Sequence, residues 1–150
     1  MKGLLCHAAM VLCLSCYGQN NLEEGMKFTR VGEIRVSEDL FVSCKKSNET
    51  YYFEYSDSSS KEKSTMFFQV NSKKDEFKEL FTAIMYGSPE IPCRGLKVEL
   101  DSEDVWLEFT KSQGVEHVRF LQNTGSQNVS YSPWLTKDDM SVLFGKNNGY

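Results

Sequence analysis

A helical pattern at residues 72–87, "SKKDEFKELFTAIMYG", restricts the possible folds of this chain most strongly. It lies between two groups of segments that alternate between apolar and polar residues. Ser72 and Asp75 have the spacing of a capping box at its start, and Gly87 is a suitable C-terminal stop. Its apolar residues recur on one stripe at helical spacing: Phe77, Leu80, Phe81, Ile84 and Met85. The pattern predicts a helix whose apolar stripe packs into a core.

Residues before this helix alternate between apolar and polar with a period of two, which is typical of strands. The segments "EIRV", "LFVSCKK", "YYFEYSD" and "TMFFQV" show the alternation, with polar turns between them. The residues expected on the core side are Ile34, Val36, Leu40, Val42, Cys44, Tyr51, Phe53 and Tyr55. Four strands are therefore predicted on the N-terminal side of the helix.

Three more alternating segments follow the helix: "LKVELD", "VWLEFT" and "VEHVRFLQ". Their connectors "DSED" and "KSQG" are short, which predicts an antiparallel meander. Residues 123–133 are predicted as a loop, and "LTKDDMSVLFGK" as a short C-terminal helix capped by Thr136 with Asp139. We therefore predict one α+β domain over residues 31–150. It has an antiparallel sheet of about six to seven short strands, the main helix packed on one face, and the short C-terminal helix.

The N-terminus has the pattern of a secretory signal peptide. Lys2 supplies the positive start, and residues 3–15 form an apolar run that is too short to span a bilayer. The run ends at "YGQNN", so we predict a signal over residues 1–18 and a flexible tether over residues 19–30. A buried first helix is the alternative. The signal predicts an extracytoplasmic protein: periplasmic, outer-membrane associated or secreted.

Two cleavage sites remain open. Cys16-Tyr17-Gly18 places small residues where a signal peptidase needs them, which gives a free protein beginning at Gln19. "LSC" instead resembles the end of a bacterial lipobox, whose cysteine becomes lipid-anchored. Cys13 stands where a lipobox usually has leucine. Lipidation at Cys16 would be the only link to a membrane.

Two of the five cysteines, Cys44 and Cys93, lie beyond the signal and its junction. In an oxidising compartment, two cysteines pair most simply with each other. Closing a loop of about 50 residues would stabilise the fold by about 4 kcal/mol. We therefore predict a Cys44–Cys93 disulfide. A reactive or metal-binding thiol is the alternative.

Charge and residue content exclude several classes of function. Removing Lys2 with the signal lowers the net charge from −4 to −5, a sign that repels nucleic acid and anionic lipid. His117 is then the only histidine, and a surface position without a role is expected for it. The acidic turn at Glu99, Asp101, Glu103 and Asp104 is expected to be solvated, with a weak calcium site as the alternative. No catalytic residue, metal or cofactor is predicted.

Aromatic residues off the predicted core side raise the main question about function. Phe41, Tyr52 and Trp106 lie on the opposite side of the strands, and Tyr131 and Trp134 follow in the late loop. Large apolar groups there need a cover or a partner. The cover would be the C-terminal helix, through Met140, Leu143 and Phe144; the alternative is a binding face. The candidate binding residues are Phe41, Tyr52, Trp106 and Trp134.

These features favour a small exported, non-catalytic binding protein of the bacterial cell envelope, with an inhibitor or immunity-type protein as one form. Its partner would be another protein with a basic surface, because opposite charge speeds encounter. Carbohydrate is a second partner class that suits aromatic rings. The alternatives are a structural lipoprotein subunit of an outer-membrane complex and a small envelope hydrolase.

Overall fold

The computed structural model describes residues 25–62, 64–90, 95–123 and 128–146. Their first half forms an antiparallel sheet in the order β1-β2-β3-β4. The strands span Thr29–Arg35, Phe41–Ser47, Thr50–Ser56 and Thr65–Asn71. A 3₁₀ turn over Ser72–Lys74 and helix α1 over Glu76–Tyr86 follow β4. All four predicted N-terminal strands are thus present.

The second half forms another antiparallel sheet, in which β7 pairs with three strands. Strands β5 to β9 span Leu96–Glu99, Asp104–Ser112, Val115–Asn123, Val129–Tyr131 and Leu135–Thr136. Strand β8 pairs with one end of β7 and β9 with the other. Gln113 and Gly114 both have positive φ in the tight β6–β7 turn, where a glycine relieves the strain. Helix α2, Lys137–Leu143, ends the described chain.

The α+β class with antiparallel strands and two helices is confirmed, but a single sheet of six to seven strands is wrong. The described residues form nine strands in sheets of four and five. The outer edge of β4 shows why the sheets stay separate. The carbonyl oxygens of Phe67 and Gln69 accept hydrogen bonds from the side chains of Gln122 and Ser102, at 3.2 and 3.1 Å. These side chains occupy edge groups that a further strand would use.

Both sheets turn their inner faces to one shared core. Phe120 of β7 lies with its ring centre 5.9 Å from that of Phe53 and 5.1 Å from that of Phe68, so it joins the two sheets directly. The predicted inward residues Val42, Cys44, Phe53 and Tyr55 are fully buried. Val36 is 52% exposed because β1 ends at Arg35, so its predicted core position is wrong.

Helix α1 packs as its apolar stripe predicts, but its start differs. Leu80 and Ile84 are fully buried. The predicted Ser72–Asp75 capping box is wrong, because Asp75 has a φ of +59° and makes no side-chain capping bond. The buried Glu76 takes over that end of the helix. Its two carboxylate oxygens accept from the backbone N–H groups of Asn71 and Asp101, at 2.7 and 2.8 Å.

Helix α2 has the predicted capping box, in which Thr136 and Asp139 each accept a hydrogen bond from the other's backbone N–H. Its approach to β1 depends on Gly32. A Cβ atom at Gly32 would lie 2.4 Å from the carbonyl oxygen of Val142 and 2.6 Å from Cα of Leu143. The missing side chain therefore lets α2 dock against the edge of the first sheet and into the core.

The predicted signal and Cys16 lie outside the described residues. Strand β1 begins at Thr29, just inside the stretch predicted as a tether. Within the described segments, neither helix has the length and apolar content needed to cross a bilayer.

Candidate functional site

The four predicted binding residues all lie on outer faces and are partly exposed, but the two sheets divide them into pairs. Phe41 and Tyr52 belong to the outer face of the first sheet, opposite the inward Val42 and Phe53. Trp106 lies on the outer face of the second sheet, and Trp134 follows β8 beside the same face. The structure therefore brings Trp106 and Trp134 to one side of the molecule and the other two residues to another sheet.

The C-terminal helix does not cover these rings. Met140 and Leu143 are fully buried and Phe144 is 3% exposed, all within the core. The ring of Phe144 lies 5.1 Å from Phe53 and 4.8 Å from Phe77, measured between centres. The helix thus packs on the inner side of both sheets, and its predicted role as a cover is wrong.

The outer face of the second sheet carries a connected group of side chains. Trp106 lies directly across from Leu121, and Leu121 lies across from Tyr131. Arg119, next to Leu121 on the same face, is paired with Glu108 of β6. We define the aromatic–arginine face as Trp106, Arg119, Leu121, Tyr131 and Trp134.

Arg119 is held on three sides. Its guanidinium carbon lies 4.2 Å from the ring centre of Tyr131 and 4.3 Å from that of Trp134, within the range of cation–π contacts. Its Nε donates to Glu108 Oε2 at 2.6 Å, and Nη2 lies 2.6 Å from the same oxygen. The guanidinium is therefore held in one orientation.

Sequence reasoning found the two tryptophans of this face but missed Arg119. The sequence pattern that could have found Arg119 was present, because this residue stands between Val118 and Phe120, which both point into the core. Alternation therefore placed Arg119 on the outer side. Its partners Tyr131 and Trp134 lie more than ten residues later, and no local pattern predicts that contact.

The outer face of the first sheet carries three ion pairs. Glu33 lies 3.2 Å from Arg30 and 2.7 Å from Arg35, and Lys45 lies 3.3 Å from Glu54. A depression of about 510 Å³ occurs there, lined by Met26, Phe28, Arg30, Glu33, Ser43 and Lys45. The rings of Phe28 and Tyr52 lie 5.2 Å apart between centres, and the guanidinium carbon of Arg35 lies 5.7 Å from the ring centre of Phe41, so this face combines aromatic rings with ion pairs.

His117 and the acidic turn show no convergence on a reacting centre. His117 Nδ1 lies 3.1 Å from the carbonyl oxygen of Val115, within its own strand. Asp101 pairs with Lys74, and Glu99 and Asp104 both pair with Lys97, at 3.0 and 2.9 Å. Over the described ranges, no group of three or more His, Cys, Asp or Glu side chains is arranged to hold a metal ion.

Cys44 is fully buried, and burial raises the pKa of its thiol to about 12. A thiol that stays protonated at neutral pH is a poor nucleophile. Cys44 is free in the structure, and Cys93 lies outside the described residues. The Cys44–Cys93 disulfide therefore stays a prediction.

Comparison with known proteins gives no relative from which a function could be transferred. No family model, curated protein or solved structure matches the chain.

Proposed function

We propose that this chain is an exported, non-catalytic binding protein of the bacterial cell envelope that captures another protein through the aromatic–arginine face. An inhibitor or immunity-type protein is one form of this function. The supporting observation is the arrangement of this face. The rings of Tyr131 and Trp134 pack on Arg119, and Trp106 lies on the same side of the sheet. Both helices pack on the inner side.

The residue types of this face are those that dominate protein–protein binding energy. Tryptophan, tyrosine and arginine are enriched among residues whose truncation costs most in binding. Tryptophan and tyrosine offer wide apolar area together with a polar edge, and few rotatable bonds are lost on binding. A surface that only faces water does not need large aromatic side chains of this kind.

The preformed ion pair lowers the cost of binding. An arginine that orders only in the complex loses about 0.5–1.5 kcal/mol of side-chain entropy. Arg119 already lies between two rings and beside Glu108, and its side chain is only 21% exposed. The face thus presents a fixed shape that a partner can match.

The net charge indicates which partners meet the protein fastest. With the signal removed, the chain carries −5. Opposite charge on a partner raises the association rate, an effect that salt screens. A partner with a basic surface therefore fits the proposal, and we expect its association rate to fall as salt concentration rises.

Affinity purification of the exported protein under mild detergent, with wild type and Trp106→Ala compared, tests the proposal. We expect wild type to recover a stoichiometric protein partner. Because central anchors contribute about 2 kcal/mol or more, Trp106→Ala should weaken that partner's binding at least tenfold. Its melting temperature should change by a few degrees at most, because Trp106 lies outside the shared core.

Phe67→Ala is the matched control. Phe67 is 49% exposed on the outer face of the first sheet. The Phe67→Ala substitution therefore removes an aromatic ring from the other side of the molecule. We expect this variant to keep the partner. Recovery of wild type as a lone monomer that turns over a small substrate would contradict the proposed function. Recovery of glycan without protein would point to carbohydrate instead.

A further inference from the structure

We propose that Asp57, on the β3–β4 loop of the first sheet, is a positioning residue for the aromatic–arginine face of the second sheet. Asp57 acts through Tyr131, whose ring packs on Arg119. The inference rests on the proposed function and adds a residue that is remote from the face in sequence.

The β3–β4 loop holds both backbone groups of Tyr131. The N–H of Tyr131 donates to Asp57 Oδ1 at 3.1 Å, and its carbonyl oxygen accepts from the N–H of Ser58 at 2.7 Å. Two hydrogen bonds on one residue hold its backbone and thereby set the direction of its Cα–Cβ bond.

Strand β8 is short, and the loop adds to what holds it. It has three residues and pairs with β7, where Tyr131 lies opposite Leu121. The loop binds Tyr131 in addition to that pairing. Ser132, the next residue, is anchored to Phe120 of β7 by its backbone N–H and its hydroxyl, at 3.0 and 2.9 Å. The loop thus supplies the hydrogen bonds of Tyr131 on the side that faces away from β7.

Asp57 is itself oriented by its neighbours. Its Oδ1 also accepts from the N–H and the hydroxyl of Ser59, at 2.9 and 2.7 Å. One residue before Tyr131, the hydroxyl of Ser130 lies 2.8 Å from that of the buried Tyr55, a second link between the sheets. The carboxylate is thus held at the place where the Tyr131 N–H needs an acceptor.

The binding face therefore requires both sheets to be docked. The second sheet supplies Trp106, Arg119 and the chain segment with Tyr131 and Trp134, while the first sheet supplies the acceptor that fixes Tyr131. Without Asp57, the N–H of Tyr131 loses its partner, and the ring no longer holds Arg119 from one side. We expect the contact of Arg119 with Trp134 to loosen as well.

Trp134 fluorescence tests this positioning without a partner. The chain has two tryptophans, so Trp106→Phe leaves Trp134 as the only reporter. In that background, Asp57→Ala should increase acrylamide quenching of Trp134 about twofold. Asp57→Asn keeps a carbonyl oxygen at the same place and should restore the wild-type quenching. Lys61→Ala, an exposed change in the same loop, should also leave quenching unchanged.

Affinity for the co-purified partner is the second measurement, made in the wild-type background. We expect Asp57→Ala to weaken binding five- to tenfold and Asp57→Asn to restore it. Ile84→Val, a core change on α1, serves as a control that lowers stability without touching the face. It should leave affinity unchanged.

Unchanged Trp134 quenching in Asp57→Ala would overturn the inference. An equal loss of affinity in Ile84→Val would also overturn it, because general destabilisation would then explain the effect. If Asp57→Ala changes the quenching of Trp134 but not the affinity for the partner, the Trp106→Ala variant distinguishes two explanations. If Trp106→Ala weakens binding, only the role of Asp57 has failed; if it does not, the face itself is not the binding surface.

Discussion

The two halves of the molecule share an order of elements but differ in their outer faces. Each half is an antiparallel sheet followed by a helix, and both bury their inner residues in one core. The outer face of the first sheet carries ion pairs of Glu33 and Glu54 beside the contacting rings of Phe28 and Tyr52. The second outer face carries three aromatic rings around or beside one oriented arginine.

The difference indicates where folding constrains the sequence and where it does not. Inner positions must be apolar in both halves, because each sheet packs against the other and against both helices. Outer positions face water and are free to differ. Their divergence is therefore the better guide to function, and it is one reason why we propose the second sheet as the binding side.

The largest expected effect tests whether the halves fold as one unit. Phe120 is fully buried and contacts Phe53 and Phe68 across the interface of the sheets. Phe120→Ala should lower the free energy of unfolding by about 3–5 kcal/mol, since such a truncation leaves a cavity. Urea denaturation should still show a single transition by tryptophan fluorescence and by circular dichroism. Two separate transitions would mean that the two halves are independently folding domains.

A smaller effect is expected where the second half docks on the first. Gly32→Ala places a methyl group against the backbone of Val142 and Leu143. Relief of this contact requires α2 to shift, which should cost about 1–3 kcal/mol. Urea denaturation measures the change, with exposed Thr29→Ala on the same strand as the control. A variant as stable as wild type would show that α2 is not tightly docked on β1.

The smallest effect concerns polar contacts within the second half and depends on pH. Burial raises the pKa of Glu103, while a hydrogen bond from Gln122 acts against this shift. A pKa that is higher in the folded than in the unfolded state means that protonation stabilises the fold. Glu103→Gln should therefore be more stable than wild type at pH 7. The difference should shrink as pH falls through the folded pKa and vanish below the unfolded one.

Glu116 provides the opposite case for the same pH series. The hydrogen bond from Lys137, 2.7 Å away, lowers the pKa of Glu116, so this carboxylate stabilises the fold above its unfolded pKa. Glu116→Gln should be less stable than wild type at pH 7, with the deficit lost as pH falls. Thermal unfolding from pH 3 to 7 measures both variants. Parallel curves for Glu103→Gln and Glu116→Gln would contradict the assigned signs.

Local patterns in the sequence predicted most of the elements. The period-two alternation of Val42, Cys44, Phe53 and Tyr55 assigned their buried side correctly, because strand geometry alone sets which residues share a face. The capping box at Thr136 was also predictable, since both partners lie within one helical turn. The start of α1 was not, because Glu76 replaces the local cap with a bond to Asp101.

The number of sheets could not be predicted in this way. Alternation shows that a strand has one buried face but not which strands pair. The edge of β4 is occupied by side chains of Ser102 and Gln122, which are more than thirty residues away. The same holds for the candidate site. The two tryptophans could be identified from the sequence, whereas Arg119 became a candidate only through its contacts with Tyr131 and Trp134.

The sequence by itself determined which side of most strands is buried, where most strands and helices lie, and that two tryptophans need an explanation. Periodicity and short-range hydrogen bonds act within a few residues, so these features are written locally. Only the tertiary structure decided that there are two sheets and that α2 packs inside rather than over the rings. It also brought Asp57 of the β3–β4 loop to the backbone N–H of Tyr131. Those outcomes depend on contacts between residues far apart in the chain, which no local pattern specifies.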